Sequence, residues 1–176
     1  MTFETIYSTD HSSLQFIQPL YENAFPLHER REWAQLLQLL SQPDMQLLLI
    51  KDEDIYVGFA IVWSFADWHY LEHLAVDPQH RGKKYGSTVM QELLKYSGNR
   101  LVLEVEHPHD EAAKRRIGFY ERLGFTILPF EYQQPPYRKG EAFNPMLLMS
   151  IPVIDNEDIF NAIAALIKER VYLLFH

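Results

Sequence analysis

Apolar and polar positions along this chain follow two rhythms, and the changes between them mark out its elements. A period of two, expected of a strand, runs through Thr2 to Ser8, where Phe3, Thr5 and Tyr7 alternate with Glu4 and Ile6. It returns in Tyr70 to Val76, stopped by Asp77-Pro78. It recurs in Leu101 to Glu106, with Leu101, Leu103 and Val105 on one face and Val102, Glu104 and Glu106 on the other. Met45 to Lys51 and Ile55 to Phe65 are nearly continuous apolar runs joined by Asp52-Glu53-Asp54, a polar hairpin composition. Such runs predict strands buried on both faces, hence a central sheet sandwiched by helices. Met146 to Val153, closed by Pro152, is the last predicted strand.

Helical spacing fills the intervals. Leu14, Phe16, Ile17, Leu20 and Tyr21 predict a helix capped by Asp10 or Ser12 and interrupted at Pro26. A second helix is predicted from about Leu27, with Trp33, Leu36, Leu37 and Leu40 inward. Tyr85, Val89 and Leu93, with Met90 and Leu94, place another from Lys84 onward. Asp110 is a good N-cap for a helix that ends at Gly124, where a C′ glycine belongs. Asp155 or Asn156 caps a terminal helix with Ile159, Phe160, Ile163, Leu166, Ile167 and Val171 on one stripe. Leu128 to Ala142 keeps neither rhythm, and Pro135-Pro136 makes it a stiff extended connection.

At 176 residues, 47% hydrophobic and 14% aromatic, the chain fits one domain with an ample core. Its formal net charge of −8 argues against a general nucleic-acid binder. Cysteine is absent, which excludes disulfides, thiolate metal sites and a cysteine acyl-enzyme. The N-terminal stretch has no basic region followed by an apolar core, and the longest apolar run, Val57 to Ala66, is broken by Ser64 and too short for a bilayer. The expectation is a soluble cytoplasmic protein with no membrane partner.

Chemistry enters at three places. Between the strand ending at Val76 and the helix after Lys84 lies a loop, Pro78 to Lys83, that holds Arg81, Gly82 and Lys83. A strand passing through a basic glycine-containing turn into a helix N-terminus favours an anion there, most plausibly a phosphate. Glu104 and Glu106 share one strand face: opened to a cleft they would bind or deprotonate a cationic amine, and otherwise they are a solvated pair. His107, His109 and Asp110 read better as a loop into a capped helix than as a metal site, so no metal is expected.

Arg81-Gly82-Lys83-Lys84-Tyr85-Gly86 resembles the pyrophosphate-binding motif of the GNAT superfamily of acyl-CoA-dependent N-acyltransferases: Arg or Gln, two residues, Gly, one residue, then Gly or Ala. Arg81 and Gly86 match, and Lys84 stands at the usual middle glycine. Tyr120-Glu121-Arg122-Leu123-Gly124-Phe125 resembles the family's later helix and its exit, in the family's order and spacing. The resemblance covers roughly residues 1 to 152. It implies a mixed α/β fold with a mostly antiparallel twisted sheet of about seven strands. Residues 153 to 176 are left as an extra C-terminal helix, packed on the domain or placed at a homodimer interface.

The implied function is an N-acetyltransferase using acetyl-CoA as co-substrate, with direct attack by a small-molecule or peptide amine. Arg81, Gly82, Lys83, Lys84, Gly86 and Ser87 would hold the pyrophosphate, and Leu74 and Val76 would bond the pantetheine arm through their backbone. The Leu74 N–H would face the thioester oxygen. Tyr120 matches the family's usual acid for the leaving thiolate. Glu72, two residues before Leu74 and on the same face by alternation, is the first choice of base, with Glu104 and Glu106 in reserve. Phe25, Pro26, Glu29, Arg30, Trp33, Tyr132, Tyr137 and Arg138 are candidates to line the acceptor site. A non-catalytic acyl-CoA sensor is the alternative. A nucleotide-phosphate enzyme would need G-x-x-x-x-G-K followed by Ser or Thr, which is absent.

Overall fold

Leu47 and Leu49 of strand β2 (Met45–Asp52) enter one core cluster, while Leu48 and Ile50 enter another. Period-two alternation of apolar side chains thus builds a core on each side of the sheet. The computed structural model describes residues 1–80 and 85–175. Its sheet has eight strands in the order β1-β2-β3-β4-β5-β8-β6, with β7 also pairing β8. The other strands are β1 (Thr2–Ile6), β3 (Ile55–Phe65), β4 (Trp68–Val76), β5 (Leu101–Glu106), β6 (Thr126–Ile127), β7 (Tyr132–Gln134) and β8 (Asn144–Ile151). Every pairing is antiparallel except β4 with β5. The eighth strand is β7, inside the connection predicted to be only extended: Tyr132 to Gln134 pair with the start of β8 before the prolines intervene.

Helices α1 (Leu14–Ala24), α2 (Trp33–Leu39) and α5 (Glu157–Leu166) cover one face; α3 (Tyr85–Tyr96) and α4 (Glu111–Arg122) cover the other. The helix predicted from Leu27 is instead a 3₁₀ turn, Leu27–Glu29, followed by an extended Arg30 before α2 begins. Arg31, 2% exposed, sends its side chain into the core at this point. The predicted caps Asp10 and Ser12 are displaced by Ser13, which occupies the N-cap of α1.

Two irregularities in β4 position the site. Between β3 and β4 the register shifts, Ile61 facing His73 and Val62 facing Leu71, so Glu72 is the extra residue of a β-bulge. On its other side β4 pairs with β5 only through His69–Leu101, Tyr70–Val102 and Leu71–Leu103, and beyond Leu71 the two parallel strands part. The Asp77 N–H donates to Val57 O at 2.8 Å, which fixes the parity of the antiparallel ladder. The N–H and C=O groups of Leu74 and Val76 therefore point away from β3, to the side where no strand pairs with them.

This strand end depends on Gly58. A Cβ built there would stand 2.1 Å from the Ala75 carbonyl oxygen and 3.1 Å from Val76 Cα, both backbone. Gly58→Ala must push β3 away from β4 where β4 borders the opening, at a cost of about 2 kcal/mol. Scanning calorimetry should record a Tm lower by about 4 °C or more; an unchanged Tm would show that the strands absorb the methyl.

The C-terminal segment packs back on the chain. Phe160 and Ile163 of α5, then Ile167, Val171 and Tyr172, join the core of the first face. Residues Ile167–Tyr172 form a π-helix, whose wider turn brings the adjacent Val171 and Tyr172 inward together. Among the described residues no helix is long and apolar enough to cross a membrane.

Candidate active site

Where β4 and β5 part, they leave a cleft of about 320 Å³ bordered by Leu71, Glu72, Leu74, Ala75, Val76, Leu103 and Glu104. Arg116 and Tyr120 of α4 close it from one side, and Ala24, Phe25 and Glu29 from the other. A second cavity of about 110 Å³ adjoins it, lined in part by His73, Glu104, Glu106, Gln134, Tyr137 and Met146. Glu72, Glu104 and Arg116 belong to both.

Leu74, Val76 and Tyr120, contributed by a strand and a helix far apart in the chain, line one cleft. Leu74 and Val76 carry their side chains on the face of α3 and α4. Gly86 lies in the first turn of α3, and a Cβ on it would meet Phe119 of α4 at 3.8 Å. The start of α3 thus lies beside the residue preceding Tyr120. Ser87 follows in the same turn. Arg81, Gly82, Lys83 and Lys84, the remaining residues of the expected phosphate loop, lie outside the described residues. Burial pushes the Tyr120 phenol up to about 12, so it stays protonated at neutral pH.

Glu72 is not placed as strand alternation predicted. The bulge turns its side chain to the face opposite Leu74, among Arg31, Trp63 and Tyr137. Its carboxylate has 0% side-chain exposure. One oxygen accepts from Arg31 Nη1 and from the Tyr137 hydroxyl at 3.0 Å; the other accepts from Trp63 Nε1 at 2.6 Å. Burial is the largest single influence and would raise this carboxyl, but the Arg31 guanidinium, with His73 and the Trp63 hydrogen bond, holds the group below its ordinary value. Only the Glu72 backbone borders the opening; its carboxylate is a satisfied buried ion.

Glu104 is held differently. It accepts from the Tyr132 hydroxyl at one oxygen, and from Gln134 Nε2 and the Tyr172 hydroxyl (2.7 Å) at the other. No cation among the described residues contacts it. Burial raises its proton affinity above the ordinary carboxyl value, with those hydrogen bonds opposing the shift. Glu106, expected on the same face, is paired with Arg116 and has a side chain 39% exposed.

The other expected acceptor residues separate into two groups. Phe25 and Glu29 line both cavities, and Tyr137 lines the second. Trp33 instead packs against Tyr21 at 6.0 Å in the hydrophobic layer, and it lines neither cavity. Arg30 stacks over Tyr21, while Arg138 bridges Leu27 O and Glu32. His107 and His109 stack on each other, and no group of three or more metal-ligating side chains occurs among the described residues.

Sequence reasoning passed over four residues of the site. Arg31 lies in a run, Glu29 to Glu32, that reads as a solvated charge cluster. Arg116 could have been found, being one helical turn from Tyr120 and so on the same face. His73 Nε2 donates to Glu29 O at 3.1 Å, and burial lowers its proton affinity despite the nearby Glu72. Tyr172 gave no signal, because its partners are met only through the π-helical turn.

Comparisons with known proteins follow the same lines. The model of the acetyltransferase (GNAT) family matches residues 11–125. No curated protein matches the chain. Among solved structures, a Bacteroides thetaiotaomicron protein assigned to the GNAT acetyltransferase family is 36% identical, with a TM-score of 0.92 over 98% of both chains. A spermidine N-acetyltransferase variant from Vibrio cholerae has a TM-score of 0.64 at 15% identity, covering 86% of this chain and 94% of that one. An aminoglycoside 6′-N-acetyltransferase complexed with coenzyme A has 0.59 at 18% identity, covering 90% and 100%. At those lower identities the likeness is one of fold.

Proposed function

The chain belongs to the GNAT family of acetyltransferases, and on that footing we propose that it moves the acetyl group of acetyl-CoA onto a cationic primary amine by direct attack. The amine nitrogen attacks the thioester carbonyl, a carbon–nitrogen bond forms, and the carbon–sulfur bond breaks as the thiolate leaves. No cysteine is available for a covalent acyl-enzyme.

The observation that carries this reading is the parting of β4 and β5 between Tyr120 on one side and the carboxylate-bearing residues Glu72 and Glu104 on the other. In this reading the unpaired backbone of Leu74 and Val76 takes the pantetheine arm, and the Leu74 N–H faces the developing oxyanion. Arg81, Gly82, Lys83, Lys84, Gly86 and Ser87 form the pyrophosphate loop. Tyr120 donates to the leaving sulfur. An amine with a pKa of about 10 must also lose a proton. We give that role to Glu104: it lines both cavities, has no cationic partner among the described residues, and burial raises its basicity. Glu72, saturated by Arg31, Trp63 and Tyr137, holds the bulge in place instead. The acidic lining, Glu29, Glu104 and Glu106, favours a positively charged acceptor. Spermidine and aminoglycosides, in the names of two fold relatives, are amines of this kind.

Calorimetric titration with acetyl-CoA and CoA, followed by a thiol-release assay across an amine panel, tests the reading. Micromolar binding is expected, weakened about tenfold or more in Arg81→Ala through loss of a charge-assisted phosphate contact. Absence of binding by the wild-type protein to both ligands would overturn the reading. Equal affinity in Arg81→Ala would remove that residue from the site.

A further inference from the structure

The second carboxylate of the site, half-buried Glu104, is held by a residue from outside the matched stretch of the family. Tyr172 ends the π-helical turn Ile167–Tyr172 and is 2% exposed. Its hydroxyl donates to Glu104 Oε2 at 2.7 Å and accepts from Gln134 Nε2 at 2.9 Å. The Tyr70 hydroxyl lies 3.1 Å from it and completes its second lone pair. Val171, one residue earlier, takes the Arg31 guanidinium on its carbonyl oxygen, a cation at a helix C-terminus, where the dipole favours it. The tail therefore touches Glu104 directly and Glu72 through Arg31.

We propose that Tyr172 is a positioning residue that fixes the carboxylate of Glu104 in orientation and sets its readiness to accept a proton from the acceptor amine. The inference rests on the acetyltransferase reading for its consequence in turnover, but not for its effect on Glu104 itself. Tyr132 and Gln134 face Glu104 from β7, Tyr70 from β4 and Tyr172 from the tail. Tyr137, a neutral phenol, and the Glu72 carboxylate lie further off beside Tyr70, and Arg116 stands across the cleft. Leu148 of β8 is its apolar register partner. Burial keeps the phenols of Tyr70, Tyr132 and Tyr172 protonated far above neutral pH. They are fixed donors, and each one removed leaves the ionised carboxylate less stabilised.

The test uses the full chain with Tyr172→Phe, which deletes one hydroxyl and keeps the ring. Glu104 is followed by carbon-13 NMR titration of its carboxyl, assigned with Glu104→Gln, and the pH profile of kcat/KM is recorded in parallel. The expected result is an upward shift of the Glu104 midpoint by about one pH unit, with the acidic limb of the profile moving the same way. KM for acetyl-CoA stays unchanged. Site-specific 3-fluorotyrosine at position 172, a stronger donor of the same shape, should shift both midpoints downward, and it covers the case in which Tyr172→Phe folds poorly. A fall in kcat or Tm with both midpoints unmoved would make Tyr172 merely structural and overturn the proposal. If the wild type turns over no amine, the acetyltransferase reading fails. The NMR titration still decides this inference, a shift supporting it and a fixed midpoint overturning it.

Discussion

Tyr120→Phe is expected to lower kcat about a hundredfold while leaving the acetyl-CoA dissociation constant unchanged. The phenol lines the cleft with Leu74 and Val76, is half-buried, and has its proton affinity pushed up to about 12. A leaving thiolate accepts a proton at about 8.5. Complete transfer from so weak an acid is uphill by several pH units. In the proposed reaction the hydroxyl would therefore act mainly by donating a hydrogen bond to sulfur as negative charge gathers there, handing over its proton late. That stabilisation exists only while the bond is breaking, so its loss falls on kcat and not on cofactor affinity. At about 1.4 kcal/mol per tenfold, a hundredfold loss corresponds to about 3 kcal/mol, within reach of one charge-assisted hydrogen bond in a dry site. Steady-state thiol release and calorimetric binding on the same preparation check it. A kcat within about threefold of wild type would remove Tyr120 from the chemistry.

The largest expected effect on stability comes from Arg31→Met, about 3–5 kcal/mol or roughly 10 °C in Tm. Arg31 is 2% exposed and bonds Glu72 and Val171 O; it also lies 4.9 Å from the Tyr137 ring and 5.8 Å from that of Trp63. Breaking the pair leaves a carboxylate with 0% side-chain exposure uncompensated, which costs far more than the pair's net worth. Replacing both partners, Arg31→Met with Glu72→Leu, should therefore recover a large part of the loss. The pH dependence has a definite sign. In the wild type the Glu72 carboxyl is held below its ordinary value, so its stabilisation is complete above the ordinary carboxyl range and is lost as pH falls through the folded value. Without Arg31, burial, the largest influence, outweighs the remaining Trp63 and Tyr137 hydrogen bonds and raises the group, so the variant regains stability on acidification. The gap in Tm between the two proteins should narrow from neutral pH toward the carboxyl range. A constant gap would mean that the loss lies in packing and not in the buried charge.

The same residues show how far a linear pattern reaches. The continuous apolar runs of β2 and β3, the alternation in β4 and β5, the helical stripes of α3 and α5 and the cap and stop residues of α4 located the sheet, its two covered faces and most of its core, because each is a local pattern along the chain. The run Tyr120 to Phe125 and the strand Tyr70 to Val76 were legible too, since both are local words with a local structural meaning. The same rule failed at Glu72. A bulge is decided by registry with a second strand, and one extra residue reverses every face assignment beyond it.

By itself, then, the sequence determined a sheet between helices, the absence of cysteine chemistry and a candidate acid at Tyr120. Tertiary structure alone decided which arginine of Glu29 to Glu32 would be buried, which carboxylate would be saturated, and which would border the cleft with neutral donors from Tyr132, Gln134 and Tyr172. Arg31 meets Glu72 across 41 positions and Val171 across 140, and Tyr172 meets Glu104 across 68. No periodicity in a chain encodes such separations. A polar side chain taken from water must find its partner wherever packing brings one within reach, and that is settled by how the two faces of the sheet close.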